Sequence, residues 1–419
     1  MSGCWGSRRS PDERLREEQI TTVTAPLTAA TLSGALRQAV RPGTTVALGD
    51  GVGALSCLDD GSSMGTALSG VAREVGSVRL VLGWLPGPVA GLEADAFGEV
   101  AALMPGWGVR DLLRTPTARF IPTRLSAIGA LLAGVLRPDL LITRVVERGG
   151  ELHFATEVSW QRELVQAGVP VLGIVDGVAP MASALPALDP AQVTVVGRSA
   201  DGPMRLAPKA PEAVHDALAD SVLRFVPEGA RLQYGPGQLG TALLNRAAVP
   251  LQIDTGLLTD AVVGLERRGL LAAMPSATYL MGSDVLYDWA DGKPILRGIE
   301  YTHDFVRLAS GAPFVAVNTA IELDPYGQIN VEGVGEKVVG GIGGHPDYCA
   351  AGAMSRGGLS IIAVPSSTNG RSPLVERLSR PASTPAHDVD VIVTESGHAD
   401  LRGADWSRRR HLITELFSK

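Results

Sequence analysis

Two stretches of this chain carry the same order of local signals, and that repetition restricts the fold more than any other feature. Leu27 to Val40 (LTAATLSGALRQAV) has helical apolar spacing. Arg41-Pro42-Gly43 then stops it, Thr44 to Gly49 (TTVALG) reads as a buried strand, and Asp50-Gly51-Val52-Gly53 as a glycine loop. The order returns near the middle of the chain. Glu212 to Phe225 places Val214, Leu218, Val222 and Phe225 at helical spacing, a proline-glycine turn follows, and ARLQYGPGQLG (Ala230 to Gly240) runs from a strand into a glycine loop. Further strands (Val78 to Trp84, Asp139 to Val145, Pro170 onward) alternate with helical segments (Gly65 to Val75, Leu125 to Val135). This rhythm predicts parallel sheets with crossover helices. The expected architecture is therefore α/β, with two related open halves and mostly parallel sheets.

The boundary between the halves falls in Gly197 to Pro211 (GRSADGPMRLAPKAP), which lacks periodicity. Residues 1–26 read as a flexible leader, 27–205 as the first domain and 206–419 as the second. A net charge of −7 argues against a nucleic-acid partner. Cys4, Cys57 and Cys349 are too few and too scattered for a disulfide framework or a zinc site, which points to a reducing, cytoplasmic setting. No metal-ligand spacing occurs, and no apolar run is long enough to span a membrane.

Gly340 to Gly370 (GGIGGHPDYCAAGAMSRGGLSIIAVPSSTNG) concentrates the chemical potential of the sequence. It reads as a glycine-rich loop, a helix of small residues from Tyr348 to Met354, and a buried strand from Leu359 to Val364. Gly340, Gly341, Gly343 and Gly344 leave backbone N–H groups open to close approach, and a helix N-terminus follows. That combination suits an anion or a developing oxyanion.

The blocks around this loop carry a resemblance. FVAVNTAIELDPYGQINVE (Phe314 to Glu332), the GGIGGHPD loop and VTESGHADLRG (Val393 to Gly403) occur in this order. Together they resemble the acetyl-CoA hydrolase/transferase family, a branch of the class I CoA-transferases that includes 4-hydroxybutyrate CoA-transferases. The resemblance implies two CoA-transferase-type halves with the active site between them. It also implies a CoA site along Gly235, Pro236, Gly237, Gln238 and Leu239 and along Gly340, Gly341, Gly343 and Gly344. Asn318 matches a family asparagine that helps hold the thioester carbonyl.

LQIDTGLLTDAVVGLERRG (Leu251 to Gly269) resembles the strand and loop that carry the family's glutamate nucleophile, and Gly256 occupies the glutamate's position. Glycine supplies no carboxylate for an acyl anhydride or a glutamyl thioester. Asp254, two residues earlier on an extended segment, is the carboxylate placed to substitute. Asp260 and Glu395 read as structural acids. His303 and His345 lack a spaced carboxylate partner and read as neutral side chains on the surface or one layer behind the site. Arg408-Arg409-Arg410 reads as a solvated helix face.

An acyl-CoA-binding enzyme is expected, acting on the thioester without the glutamyl intermediate, as a hydrolase does. A silent CoA-binding homologue and a transferase using a displaced carboxylate stay open. CoA enters as part of the substrate, with no separate cofactor. A small carboxylate co-substrate and a homodimer or larger assembly are implied by the resemblance alone.

Overall fold

The computed structural model describes residues 31–53 and 57–418. The leader, residues 1–26, lies outside them, as does the start of the first expected helix, which is described from Leu32 to Ala39 with the Thr31 hydroxyl accepting from the Gly34 amide. Eight strands build the first sheet: β1 (Thr45–Leu48), β2 (Arg79–Leu82), β3 (Glu99–Ala102), β4 (Ala118–Phe120), β5 (Leu140–Arg148), β6 (Glu151–Phe154), β7 (Val171–Asp176) and β8 (Val193–Arg198). Their order is β4-β3-β2-β1-β5-β7-β8. All these pairings are parallel, and β6 returns antiparallel on β5.

In the second half, β9 (Arg231–Tyr234) and β10 (Gln252–Ile253) precede a small parallel pair, β11 (Leu257–Leu258) with β12 (Tyr279–Leu280). β13 (Phe314–Asn318) is followed by two antiparallel ribbons. These are β14 (Glu322–Leu323) with β15 (Ile329–Asn330), and β16 (Gly333–Val334) with β17 (Lys337–Val338). β18 (Leu359–Ala363), β19 (Val391–Thr394) and β20 (Gly397–Asp400) complete the second sheet in the order β10-β9-β13-β18-β19-β20. It is parallel up to the final β19–β20 hairpin. Both sheets are thus mostly parallel and open, with helices between strands, as the sequence rhythm requires. β1, β7, β13 and β18 are buried along their whole length, and their sequences are accordingly mostly apolar rather than alternating.

Several local expectations need correction. The segment expected to be linker from Gly197 begins later, because Gly197 and Arg198 still belong to the edge strand β8. The small-residue helix starts earlier, running from His345 to Met354 with Pro346 in its first turn, where its missing N–H is not needed. Arg409 is not solvated. Its guanidinium is buried and donates to the carbonyls of Ala386 (2.6 Å) and Val389 (3.1 Å), closing loops that precede β19.

Each half has an apolar cluster of its own, Leu36, Leu48 and Leu80 in the first and Leu323, Ile362 and Ile392 in the second, and a further cluster is shared. Val145, Phe154, Val158 and Val175 of the first half pack in one cluster with Leu232, Leu258, Leu280 and Ile295 of the second. The chain after β6 makes the seam. Val158 N donates to Thr278 O (3.0 Å), Leu280 N to Thr156 O (2.9 Å), and Ser159 N to Thr278 Oγ1 (2.7 Å).

Candidate functional site

Parallel strands present their carboxyl ends together, and in open α/β sheets the crevice beyond those ends is where ligands bind. Here the ends of both sheets face one cavity of about 400 Å³. Trp84 and Met104 enter it from the loops after β2 and β3, Gly235 from beyond β9, and Asn318 from the end of β13. Gly256, Tyr279, His303, Gly343, Gly344 and Tyr348 complete its inner wall. A second cavity of about 390 Å³ adjoins it. Gly235, Pro236, Gly237, Asn318 and His345 border both, while Gln238, Leu239 and Gly341 border the second. Among the expected ligand-cradling residues, only Gly340 borders neither cavity.

The glycines serve different ends. A Cβ on Gly235 or Gly237 would meet nothing within 4 Å, and Gly237 has φ +133°, a conformation that side chains resist; these are open-facing positions. At Gly344 a Cβ would run into His303 and the Tyr348 ring, so this glycine makes room for two side chains rather than for a ligand. Gly343, at φ +62°, accepts from Leu125 N (3.0 Å) and so ties the loop to the first half. Asp347 fastens the same helix start from the other side: its carboxylate accepts from Ser126 Oγ (2.6 Å) and Ser126 N (3.1 Å). Burial pushes its pKa up to about 6.

Gly256 follows β10 and precedes β11, and its carbonyl accepts from the amides of Thr278 (2.9 Å) and Tyr279 (3.0 Å). Its φ lies outside the left-handed region, so the backbone itself would tolerate a side chain. A Cβ there would stand 3.1 Å from Tyr348 Oη and 3.4 Å from His303 Nε2. Both atoms are buried and neither has a protein partner. His303 is not a surface residue, being 1% exposed. Its Nδ1 lies 2.9 Å from Thr302 Oγ1, whose hydroxyl donates to Gly298 O (3.2 Å). With that hydroxyl proton engaged, Nδ1 is the protonated nitrogen and Nε2 keeps its lone pair toward the cavity. Burial, with the nearby Arg307 charge, lowers the His303 pKa to about 3, so the ring is neutral. Burial likewise lowers that of His345 to about 4, and both its ring nitrogens are engaged, by Thr384 Oγ1 (2.7 Å) and Thr319 O (3.0 Å).

Asp254 does not reach the cavity. Both its oxygens are held by Arg307, and Arg231 stands 3.5 Å away. A carboxylate committed to two guanidiniums is poorly placed to attack a thioester. Glu395 braces a loop by accepting from Ser366 N (2.8 Å), and Asp260 accepts from Ser283 N (3.0 Å). Asn318 is held by Gln233, which pairs with Ala316, two residues before it, across β9 and β13: its Nδ2 donates to Gln233 Oε1 (3.1 Å), and Gln233 Nε2 returns a bond to Asn318 Oδ1 (3.3 Å). Gln233 and Tyr348 were not picked out from the sequence. Tyr348 is the one large side chain in the helix HPDYCAAGAM, and that contrast was the available signal.

Two open, mostly parallel sheets meeting at a shared cleft, with a glycine loop entering a helix on one wall, define a CoA-transferase-type α/β protein. The second half of the chain is similar to the acetyl-CoA hydrolase/transferase family. Residues 282–416 match the model of the acetyl-CoA hydrolase/transferase C-terminal domain. The chain is 24% identical over 336 residues to the 4-hydroxybutyrate coenzyme A transferase of Clostridium kluyveri, covering 75% of this chain and 78% of that one. Among solved structures, RipA from Yersinia pestis superposes with a TM-score of 0.81 at 20% identity, over 93% of this chain and 94% of that one. A 4-hydroxybutyrate CoA-transferase from Porphyromonas gingivalis gives 0.72 at 19% identity, over 96% and 95%. At these identities the structural likeness speaks for the fold. No helix among the described residues is long and apolar enough to cross a membrane.

Proposed function

We propose that this chain binds an acyl-CoA and hydrolyses its thioester with water, without a glutamyl-CoA intermediate. One observation carries the reading: beside Gly256, where the family resemblance would put the nucleophilic glutamate, His303 Nε2 and Tyr348 Oη point at the same space with no protein partner. A water held there accepts no competition from a side chain. His303 Nε2 accepts a hydrogen bond from the water and orients it, while the Tyr348 hydroxyl donates to the oxyanion that forms. The water oxygen bonds to the acyl carbon, the carbon–sulfur bond breaks, and the proton ends on the departing thiolate, giving a free acid and CoA. A ring with so low a pKa directs the water rather than storing its proton. The second cavity, walled by Gly235 to Leu239 and Gly341, suits the CoA arm. As in the sequence reading, a cytoplasmic homo-oligomer is the expected form.

The test is thiol release from acyl-CoA in H₂¹⁸O, followed by mass analysis of the acid and of the protein. One ¹⁸O in the acid, with no borohydride-reduced carboxylate side chain in residues 251–269, supports the reading. Tight CoA binding with no thiol release from any acyl-CoA would instead make the chain a silent binding homologue. Acyl exchange to acetate would make it a transferase.

A further inference from the structure

The proposed site has two unlike compartments, and the difference bears on which acyl group it takes. The reaction locus, Gly256 with His303 and Tyr348, borders the first cavity and not the second. The acyl group therefore belongs in the first. Trp84, Met104, Trp107, Leu125, Leu257 and Met281 give it a largely apolar lining, with Gln233 and Asn318 as uncharged polar groups. No Lys, Arg, Asp or Glu borders it among the described residues. Arg307, close enough to His303 to act on its charge state, has its guanidinium on both oxygens of Asp254. A carboxylate on the acyl chain would thus enter a space with no charge to meet it, which is strongly unfavourable. An engineered cavity of about 150 Å³ already holds benzene, so about 400 Å³ is far more than an acetyl group fills.

Trp107 supplies a second, independent observation. Its backbone takes φ +41°, which a bulky residue avoids, yet its ring is 55% exposed at the edge of this cavity. Strain of this kind is kept where the surroundings fix a side chain for a task. Gly106, at φ +106°, sets the turn and lies so close to Val339 that a Cβ would meet the Val339 carbonyl at 2.6 Å. The loop is therefore pressed across the cleft against the second half, with the indole at the mouth.

Resting on the hydrolase reading above, we infer that the substrate is the CoA thioester of an uncharged, apolar acyl group larger than acetyl, a medium straight chain or an aromatic ring, and that Trp107 closes over it. Dicarboxylic acyl groups such as succinyl are excluded by the uncharged wall.

The test compares thiol release by the full chain from acetyl-, hexanoyl-, benzoyl- and succinyl-CoA. Hexanoyl- or benzoyl-CoA is expected to exceed acetyl-CoA by at least about tenfold in kcat/KM and succinyl-CoA by about a hundredfold. Succinyl- or acetyl-CoA turned over as well as hexanoyl-CoA would overturn the inference and leave the hydrolase reading standing. Calorimetry with hexanoyl- and succinyl-CoA thioether analogues separates the other case: preferential binding of the hexanoyl analogue without turnover of any thioester sustains the acyl preference and removes hydrolysis. Trp107→Ala, at an exposed position, is expected to raise KM for hexanoyl-CoA about tenfold and that for acetyl-CoA far less. An unchanged hexanoyl-CoA KM in a folded Trp107→Ala variant removes Trp107 from the inference.

Discussion

The two carboxylate oxygens of Asp254 accept from the two terminal nitrogens of Arg307, at 2.8 and 2.9 Å, in a fork that leaves the acid no free edge. Both side chains are mostly buried. Removing one partner from such a pair strands the other charge, so Asp254→Ala is expected to lower stability by about 3 kcal/mol in urea titration. Incubating wild type with acyl-CoA should leave the Asp254 peptide unmodified, and an adduct there would reinstate a displaced-carboxylate transferase.

Gly256→Glu restores a carboxylate at the edge of the cavity. Because the backbone at 256 is not left-handed, the variant should fold, with Tyr348 giving way by a few tenths of an ångström. The new side chain takes the space proposed for water. Hydrolysis should fall by about tenfold or more, and acyl-CoA with borohydride should now reduce a thioester formed on the new carboxylate to an alcohol with release of CoA, read as a mass change in the peptide spanning residues 251–269. Persistence of full hydrolysis would show that water does not stand there.

Tyr348→Phe separates catalysis from packing. A buried hydroxyl without a protein partner contributes nothing favourable to the fold, so the melting temperature should stay the same or rise. If that hydroxyl donates to the oxyanion, kcat should fall about a hundredfold with KM little changed. Equal kcat in the two proteins would dismiss its role.

Glu157 is fully buried beneath the Gly51–Gly53 loop, accepting from Gly53 N (3.1 Å) and Thr156 Oγ1 (2.8 Å). Burial raises its pKa from 4.5 to about 7, and burial raises that of Asp50 to about 6. A carboxyl group whose folded pKa is raised stabilises the fold fully below its unfolded value and loses that contribution as pH climbs through the folded one. Glu157→Gln is neutral throughout. Its melting temperature relative to wild type should therefore rise between pH 4.5 and pH 8, by about 2 °C or more. A difference that is flat or falls over that range would refute the assignment.

Burial also sets the histidines, with the opposite sign. The lowered pKa values of His303 and His345 mean that the fold excludes their protonated forms, so they contribute stability above pH 6.5 that is lost as pH falls toward about 3 and about 4. His303→Gln removes this titration, so its melting temperature relative to wild type should rise as pH falls from 6.5 to 4, flattening the acid limb measured by thermal melts. An unaltered acid limb would place the His303 ring in contact with solvent.

The α/β class, the two mostly parallel sheets and the strand positions were legible in the sequence, because apolar runs of strand length and helical spacing are local properties. β1, β9 and β18 fall inside the segments read from residues alone, and β13 inside a block that carried the family resemblance. Gly256 was conspicuous for a similar reason: a glycine within a family-like strand block can be seen without coordinates. What tertiary structure decided were the partners. Asp254 read as a spare carboxylate because Arg307 lies 53 residues away in sequence, and only folding brings that guanidinium to it. Whether His303 lay on the surface or behind the site stayed open, because helix periodicity gave no sign that Gly344 and Tyr348 would close over it. Burial and pairing depend on segments distant along the chain, so they fix which acids are bound, which histidine is bare and which wall is uncharged. The sequence specifies those contacts, but local patterns do not display them.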